Sequence, residues 1–405
     1  MKRLLQFLLF LVLIISSQIV YADVYNNRNQ IIGERAAMMG GAYTALSEDS
    51  SGTFYNPAGT AFIDRTMISI TANVYHYMNY KRKNEQAGYD FENKLDYFET
   101  IPTSFGVSYR LSEKFVLSIS IYQVDRFDFK NTEFNSGKSQ SLTIEVSASS
   151  WIFGPSVSYK ILDNLSIGVN TFFHYSRGRF MSYWESDFEF ETSANEYSSI
   201  GFIPEIGIKW NVIDNFKIGM KYGVETVNID GKSKSMIRTS YTPSYREVTD
   251  GDARLPHTLT MGIAYEKKGS YAVAFDFTYY FKMKYSNPYE MFRIDSIDNY
   301  HEERNHFNIS LGGEYFVTKA ISLRAGFFTN TSGATEKIAS EKVDMYGGSL
   351  GFGYISDKIS TSLGLIMQYG KSGAQSSDSQ VLLETIEASW KRFSIGVIFG
   401  GTTKI

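Results

Sequence analysis

The stretch that comes nearest to a catalytic motif is Gly347-Gly348-Ser349-Leu350-Gly351, which has the Gly-x-Ser-x-Gly spacing of esterases. That motif depends on a sharp turn from a strand into a helix, which exposes the serine. Here the serine falls inside a glycine-rich stretch with the pattern of a strand, so the required turn is missing. We interpret the match as chance and predict that the chain is not an enzyme.

Metal and cofactor chemistry is also poorly represented in the sequence. The five histidines are scattered, and His301 and His306 share one stretch without carboxylates at a recognisable metal spacing. We read both as surface residues. The chain has no cysteine, which excludes disulfides, thiolate metal sites and a cysteine nucleophile. No phosphate-binding glycine loop is present, and we expect neither a metal nor a cofactor.

The feature that organises the chain is an alternation in the length of the connections between strand-like segments. Bacterial outer-membrane barrels have an even number of strands, short periplasmic turns and longer outer loops. Few soluble folds require that rhythm, so it predicts an all-β fold: a transmembrane antiparallel β-barrel of about 14 strands in a bacterial outer membrane. The short connections are 112–114, 162–163, 214, 268–269, 318–319 and 357–358, and the long ones are roughly 81–100, 131–140, 185–195, 231–253, 286–302, 331–340 and 371–378.

A two-residue period supports these strands. In 270–284, aromatic and aliphatic side chains from Tyr271 to Met283 share one face, and small or polar ones, including Asp276, share most of the other. The first face suits lipid and the second a polar lumen. The predicted strands are 66–80, 101–111, 115–130, 141–161, 164–184, 196–213, 215–230, 254–267, 270–285, 303–317, 320–330, 341–356, 359–370 and 379–400.

The N-terminus and the composition agree with an outer-membrane location. Residues 1–22 read as a signal peptide, with Lys2 and Arg3 before an apolar run and Val20-Tyr21-Ala22 as the cleavage site. The run is short for a membrane anchor. Its removal leaves 38 basic against 43 acidic residues, a mild balance that argues against nucleic acid as a partner. Aromatic residues make up 16% of the chain, which suits girdles at two membrane interfaces.

Residues 23–65 lack the pattern of a barrel strand and form a separate unit. The part from Ile31 to Ser47 is rich in Ala, Met and Gly, and Asn56 followed by Pro57 indicates a turn into a short helix. A barrel of this size has a wide lumen, and small residues pack closely against an inner wall. We therefore predict a plug at 23–65 and a barrel at 66–405.

Three stretches of this unit closely resemble the N-terminal hatch of the FadL/TodX family. They run from Gly33-Glu34-Arg35-Ala36-Ala37-Met38-Met39-Gly40-Gly41-Ala42-Tyr43-Thr44-Ala45 through Glu48-Asp49-Ser50-Ser51 to Tyr55-Asn56-Pro57-Ala58-Gly59. Later strands, beginning at Leu255-Pro256-His257-Thr258 and at Leu311-Gly312-Gly313-Glu314-Tyr315, are similar to strands of the same family. The resemblance spans nearly the whole mature chain, and its hatch motif is the specific part.

The resemblance implies a function as well as a fold. The family transports long-chain fatty acids and other hydrophobic compounds across outer membranes, through a fourteen-stranded barrel closed by the hatch. Ligand is caught at the outer face, held in an apolar pocket and released sideways through a gap at a kinked third strand. The matching motif marks Gly40, Gly41, Asn56, Pro57 and Ala58 as hatch residues beside the ligand path.

Three details qualify the resemblance. The connection 185–195 is short where the family often has an extended outer loop, and the chain ends with a short tail after Phe399, which stands where many barrels have a terminal aromatic. In the third strand, Gln123 and Asp125 fall on the lipid-facing phase. Either a bulge or kink or an exit from the membrane at that height resolves this conflict. The first case makes these two residues a region of lateral opening.

The charged residues on the lumen phase have mixed signs, which predicts ion pairs with one another or with the hatch rather than catalysis. A few of them are able to bind a carboxylate head group. They are Lys217, Lys221, Glu225, Asp276, Lys282, Glu314 and Arg324.

Passive transport of a hydrophobic small molecule is the function that these patterns favour. Water is a poor solvent for long alkyl chains, and an apolar pocket in a closed lumen provides a path between solvent and the outer-membrane lipids. The alternative is a barrel scaffold that docks partner proteins of a secretion or surface system. A simple porin for polar solutes fits less well, because of the plug.

Overall fold

The computed structural model describes residues 25–84, 89–98, 102–135, 140–241, 245–286, 300–335, 342–372, 375–377 and 386–405. The predicted signal peptide, residues 1–22, lies outside this part of the chain. Nearly all regular structure is antiparallel strand. No helix among the described residues is long and apolar enough to cross a bilayer.

The described residues form twenty strand segments, which make up the wall of the molecule. They are β1 Met67–Asn84, β2 Tyr89–Phe98, β3 Pro102–Arg110, β4 Phe115–Asn135, β5 Gln140–Leu162, β6 Leu165–Glu185, β7 Phe190–Ile213, β8 Phe216–Gly223, β9 Val227–Thr239, β10 Tyr245–Asp250, β11 Thr258–Lys267, β12 Tyr271–Tyr280, β13 Met283–Ser286, β14 Tyr300–Glu303, β15 His306–Phe316, β16 Ile321–Asn330, β17 Asp344–Ile355, β18 Ile359–Lys371, β19 Gln375–Ser377 and β20 Ile386–Lys404.

These strands form a closed antiparallel barrel of 14 strands, which confirms the predicted fold. Six of the barrel strands are each interrupted once, which accounts for the larger number of segments. For example, β2 and β3 both pair with β1, and β8 and β9 both pair with β7. The barrel closes where β1 pairs with β20, from Met67 opposite Lys404 to Asn84 opposite Ala388. The residues after Phe399 therefore belong to the last strand and are not a tail.

Burial alternates along the strands as the sequence predicts. In β12 the odd-numbered Tyr271, Val273 and Phe275 are exposed on the outer face, while Ala272 and Ala274 are buried against the lumen contents. Exposed aliphatic and aromatic side chains recur on the outer face of most other strands. This arrangement leaves an apolar outer belt around an interior lined with small and polar residues, as expected for a barrel in lipid.

The short connections are confirmed, but most of the long ones are wrong as loops. β1 continues to Asn84 and β2 starts at Tyr89 within the predicted connection 81–100. The connection 185–195 shrinks to 186–189, and β9 and β10 occupy most of 231–253. Above the membrane both faces of a hairpin meet water, so no apolar alternation marks these strands in the sequence.

β4 to β7 are the longest uninterrupted strands in the described part of the chain. They contain 21 to 24 residues, which corresponds to about 70–80 Å along a strand at about 3.3 Å per residue. Roughly 9–11 residues are enough to cross a membrane, so these four strands extend well beyond the hydrocarbon layer.

Residues 25–65, called the N-terminal segment below, fold against the inner faces of the strands. The segment contains helix α1 (Glu34–Met38), helix α2 (Gly52–Tyr55) and a 3₁₀ helix (Pro57–Phe62). Its apolar side chains form the main buried cluster together with side chains from the strands. The members include Met39, Tyr43, Leu46, Tyr55, Tyr122, Ile152, Phe172 and Ile203.

Candidate functional site

The two predicted glycines of the N-terminal segment form a tight turn that touches the barrel wall. Gly40 and Gly41 have φ of 63° and 72°, the left-handed region that glycine adopts without strain. A Cβ on Gly326 of β16 would overlap the backbone nitrogen of Gly40, so both glycines permit a close backbone approach. The Gly40 amide donates a hydrogen bond to Ser349 Oγ at 3.0 Å. The serine of the esterase-like stretch therefore lies within β17 and anchors this turn.

The predicted Asn56-Pro57-Ala58 motif attaches the segment to a different part of the wall. The Asn56 amide donates to Ile208 O of β7 at 2.9 Å and to Thr44 O at 3.2 Å, and its oxygen accepts from Ala58 N at 3.1 Å. Pro57 starts the 3₁₀ helix, where its missing N–H costs nothing. Ser166 Oγ of β6 donates to Ala58 O at 2.7 Å. The motif is a structural joint near the periplasmic ends of β6 and β7.

Asp276 of β12 holds the middle of the segment. Its Oδ2 atom accepts hydrogen bonds from Tyr43 N and Thr44 N, both at 2.8 Å, and from Thr44 Oγ1 at 2.7 Å. Charge-assisted bonds of this kind are stronger than bonds between neutral groups. A lumen carboxylate that the sequence assigned to ion pairing thus binds the backbone of the N-terminal segment instead.

A chain of alternating charges, called the periplasmic charge chain, joins the segment to five strands. Glu48 of the segment lies 2.8 Å from Lys209 and 2.6 Å from Lys217. Arg35 of the segment lies 2.8 Å from Glu266 and 2.7 Å from Glu314. Lys217 also contacts Glu266, and Arg324 lies 2.7 Å from Glu314. The seven members, in order, are Lys209, Glu48, Lys217, Glu266, Arg35, Glu314 and Arg324.

The charge chain sets the ionisation of the segment itself. Burial works against a charge on Glu48, but Lys209, Lys217 and Lys268 outweigh it and hold the pKa of this carboxyl well below its usual value. Around Glu34, the effect of burial is larger than that of the nearby positive charge. Burial raises the pKa of Glu34 above its usual value, although Arg324 opposes the change. The pKa values of these two glutamates are therefore shifted in opposite directions.

A cavity of about 270 Å³ lies in the lumen, on the side of the segment away from the charge chain. Apolar side chains from the segment and from β4 to β7 line part of it. Gly41 and Asp125 belong to the lining, whereas Gly40, Gln123 and the Asn56-Pro57-Ala58 motif do not. The larger apolar side chains of the lining are Phe54, Val124, Val146, Ile152, Phe172, Ile203, Val224 and Leu255.

Two of the three cations in the cavity lining are paired with carboxylates. Lys221 lies 2.9 Å from Glu205, and Arg254 lies 2.6 Å from Asp252. Arg28 instead donates to Ser310 Oγ at 2.6 Å and to the carbonyls of Gly40 and Gly41. Its positive charge therefore supports the glycine turn from the cavity side.

A bulge in β4 adjoins the cavity. The pairing of β4 with β5 shifts by one residue between Gln123 and Asp125, so Val124 is the extra residue. The change of register turns Asp125 from the lipid-facing phase towards the lumen, where Asn29 Nδ2 donates to its Oδ1 atom at 3.0 Å. Of the two alternatives raised by the sequence, the structure contains the bulge.

Residues 26–30, called the polar strap, cross the lumen beside the cavity. Each makes a side-chain hydrogen bond to the wall or to the glycine turn, and they reach opposite sides of the barrel. Asn29 bonds Asp125 of β4, while Asn26 donates to Asn330 O of β16 at 2.8 Å. The remaining contacts join Asn27 to Glu303, Arg28 to Ser310, and Gln30 to Asn73. No role was predicted for this stretch from the sequence, although five consecutive polar residues beside an apolar lumen are a signal that could have identified it.

The prediction that His301 and His306 are surface residues is wrong. They are only 1% and 4% exposed. The His301 ring stacks on Tyr25 and the His306 ring on Tyr280, each with centroids 4.7 Å apart. The flat face of an imidazole is apolar enough to pack on a phenol ring, and these partners are remote in sequence. Within the described residues, no group of three or more His, Asp or Glu side chains is placed to hold a metal ion.

Comparisons with known proteins agree with this architecture. The family model described as outer membrane protein transport protein (OMPP1/FadL/TodX) matches residues 12–388. No protein among the curated sequences matches the chain. Among solved structures, a Pseudomonas aeruginosa FadL homologue is 15% identical with a TM-score of 0.65, and the match covers 95% of this chain and 98% of that one.

Two further solved structures share the fold. The toluene transporter TodX of Pseudomonas putida is 13% identical with a TM-score of 0.60, and the match covers 95% of this chain and 99% of that one. The toluene transporter TbuX of Ralstonia pickettii is 12% identical with a TM-score of 0.56, covering 92% and 98%. The family match extends over most of the sequence, from the segment through the barrel. The chain thus belongs to the OMPP1/FadL/TodX family of outer-membrane proteins that transport hydrophobic compounds, and it is a channel rather than an enzyme.

Proposed function

We propose that this protein carries long-chain fatty acids or similar hydrophobic molecules across the outer membrane by passive diffusion. In this proposal residues 1–22 are a signal peptide, residues 23–65 act as a hatch, and residues 66–405 form the barrel. The ligand enters the lumen cavity from outside and leaves sideways at the β4 bulge, near Gln123 and Asp125. Movement of the hatch, including the turn at Gly40 and Gly41, opens the path.

One observation carries the proposal: the cavity meets the wall at its bulge, while the periplasmic end is filled. Val124 and Asp125 at the bulge belong to the cavity lining. Towards the periplasm, the charge chain and the Asn56 joint bind the segment to the wall. A molecule in the cavity therefore has less to displace on the way through the bulge than on the way down the axis.

The lining supports a ligand that is mainly apolar. Burying one CH₂ group contributes about 0.8 kcal/mol, so affinity for the apolar part of the cavity should rise with chain length. Arg28 is partly exposed and hydrogen-bonded to neutral groups, which makes it available to a carboxylate head group. Arg28 is itself part of the polar strap, and the next residue of the strap, Asn29, donates to Asp125 at the bulge.

Equilibrium binding to the purified, refolded full-length barrel tests the proposal. A fluorescent long-chain fatty acid is titrated, and unlabelled acids of several lengths compete. We expect saturable binding in which each added CH₂ tightens the competitor roughly fourfold until the cavity is filled. A matched series of alkanes of the same lengths shows whether the carboxylate contributes. Without competable binding by either series, the scaffold function becomes the better account, and co-purification of a partner protein would test it.

A further inference from the structure

The wall formed by β15, β16 and β17 carries glycine on both faces, for different reasons. On the inner face, a Cβ on Gly312 or Gly326 would overlap the N-terminal segment. On the outer face, a Cβ on Gly313 or Gly348 would find its nearest neighbour at 3.9 or 3.6 Å, which is ordinary contact. The barrel itself therefore does not require glycine at the two outward positions. Glycine inside a strand often marks a place where another molecule approaches closely.

A groove of about 500 Å³ lies over these outward glycines. Its floor consists of three small residues: Gly313, Ala325 and Gly348. Ala325 pairs with Gly313, and Gly348 lies one row further from the periplasm, where it pairs with Phe327. Glycine and alanine have no side-chain atoms beyond Cβ. The floor is therefore low, and the groove is open on the side that faces lipid. Apolar side chains frame it: Val273, Leu311, Phe327, Leu350, Leu365 and Met367, all of them exposed on the outer face.

The position of the groove matches the depth of one membrane leaflet. Six residues separate Gly313 from Lys319 in the turn after β15, which is about 20 Å along a strand. Strands of such barrels tilt by about 35–45°, so the separation along the membrane normal is about 15 Å. The hydrocarbon core of a bilayer is about 30 Å thick. The groove thus lies near the midplane when the turn lies at the periplasmic head groups.

Polar and charged groups occupy the head-group level below the groove. Lys319 lies in the turn between β15 and β16, and Lys358 lies beside Asp357 in the turn between β17 and β18; all three are exposed. Tyr315 and Tyr354 are exposed on the outer face between these turns and the groove. Tyrosine favours this interface, and lysine attracts anionic lipid there.

We propose that the outer groove binds one anionic phospholipid of the periplasmic leaflet. One acyl chain lies on the glycine floor, the tyrosines flank the glycerol region, and the phosphate lies near Lys319 and Lys358. Lipid in this groove covers the wall directly behind the point where Gly40 contacts Gly326 and Ser349. A second copy of the chain would also fill an apolar groove, but it leaves the alignment of lysines, tyrosines and groove with one leaflet unexplained.

Native mass spectrometry of the full-length barrel in detergent tests this site, with palmitoyl-oleoyl phosphatidylglycerol as the probe. We expect one tightly retained lipid. Gly313→Leu with Gly348→Leu fills the groove and should weaken retention roughly tenfold, the equivalent of about two buried CH₂ groups. Lys319→Gln with Lys358→Gln should remove the preference over phosphatidylcholine while leaving chain binding.

Matched variants at other outward positions serve as controls. Gly401→Leu adds the same side chain on β20, and Lys114→Gln removes a lysine from another periplasmic turn; neither should alter retention. Heat-modified migration in gels confirms that each barrel is folded. Equal retention by the filled-groove variant, or a dimer cross-linked through cysteines placed at Gly313 and Gly348, would overturn the proposal.

Discussion

The periplasmic side and the cavity side of the N-terminal segment are bound to the barrel by different chemistry. Towards the periplasm, Glu48 and Arg35 are held in a chain of seven charges, and the five members on the barrel wall are buried. On the cavity side, the polar strap is held mainly by side-chain amides, such as the bond between Asn29 and Asp125. Breaking a buried ion pair leaves an uncompensated charge, whereas a lost amide bond beside a cavity can be replaced by water.

This difference indicates which part of the segment is the more mobile. The periplasmic contacts form a fixed base, because each removed partner leaves another charge buried. The strap is a set of weaker, separate bonds that can exchange one at a time. Local opening should therefore begin at the cavity and the β4 bulge, which agrees with the proposed lateral route.

The largest expected effect comes from disrupting the periplasmic charge chain. Glu48→Gln leaves Lys209, whose side chain is fully buried, without its carboxylate partner. We expect the free energy of local opening of residues 31–60, measured by hydrogen exchange, to fall by roughly 3–5 kcal/mol. As the control, Lys130→Gln removes an exposed pair with Glu145, and its effect should stay below about 1 kcal/mol. If both variants lose the same amount, the charge chain does not anchor the segment.

The second prediction compares a glycine on the inner face of the wall, Gly326, with a glycine on the outer face, Gly348. Gly326→Ala places a methyl group against Gly40 and should destabilise the same segment by roughly 1–3 kcal/mol through overpacking. Gly348→Ala, on the outer face of the neighbouring strand, has room for its methyl group. Hydrogen exchange on both variants compares them directly. Destabilisation of the segment by the outward variant alone would contradict the assigned contacts.

The strap should respond in kinetics more than in stability. Asn29→Ala removes the donor to Asp125 and should cost roughly 1 kcal/mol locally. If that bond limits the lateral path, dissociation of a bound fluorescent fatty acid should become roughly fivefold faster. Stopped-flow displacement measures this rate, and Asn164→Ala in a periplasmic turn is the control. An unchanged rate would exclude the strap as the barrier to exit.

The smallest effect concerns pH. The folded pKa of Glu48 is lowered, so its stabilisation is present above the unfolded value near 4.5 and is lost as the pH falls. The folded pKa of Glu34 is raised, so its contribution is complete below 4.5 and is lost as the pH rises through the folded value. Glu34→Gln should therefore reduce the fall in the stability of the segment as the pH rises towards neutral. Hydrogen exchange between pH 5 and 8 measures this loss, and identical profiles for the variant and the unmodified protein would show that Glu34 titrates normally.

The sequence predicted the transmembrane part better than the parts above it. Where lipid meets one face and the lumen the other, alternation is enforced, as in β12, and the predicted bounds agree within a few residues. Above the membrane that constraint disappears, so the first residues of β7, most of β9 and β10 carry no alternating pattern and were predicted as loops. The bulge at Val124 was one of two predicted alternatives, since the phase conflict at Gln123 is visible in the pattern.

The candidate site was only partly predictable, because its contacts join residues far apart in the chain. The family resemblance marked Gly40 and Asn56, but it did not identify Ser349 or Ile208 as their partners. The burial of His301 depends on Tyr25, which is hundreds of residues away. Spacing in sequence carries no information about such pairs; only the closure of the barrel brings them together.

The periplasmic charge chain also bears on what the outer membrane keeps out. A fourteen-stranded barrel with an empty lumen would conduct ions and admit small antibiotics, and the cell would lose its permeability barrier. The charge chain pairs four cations with three carboxylates across the lumen, so a single net positive charge remains among its seven members to draw anions and water along the axis. We therefore expect the barrel to conduct few ions while the N-terminal segment is in place, so that a cell can carry many copies of the channel and keep its permeability barrier.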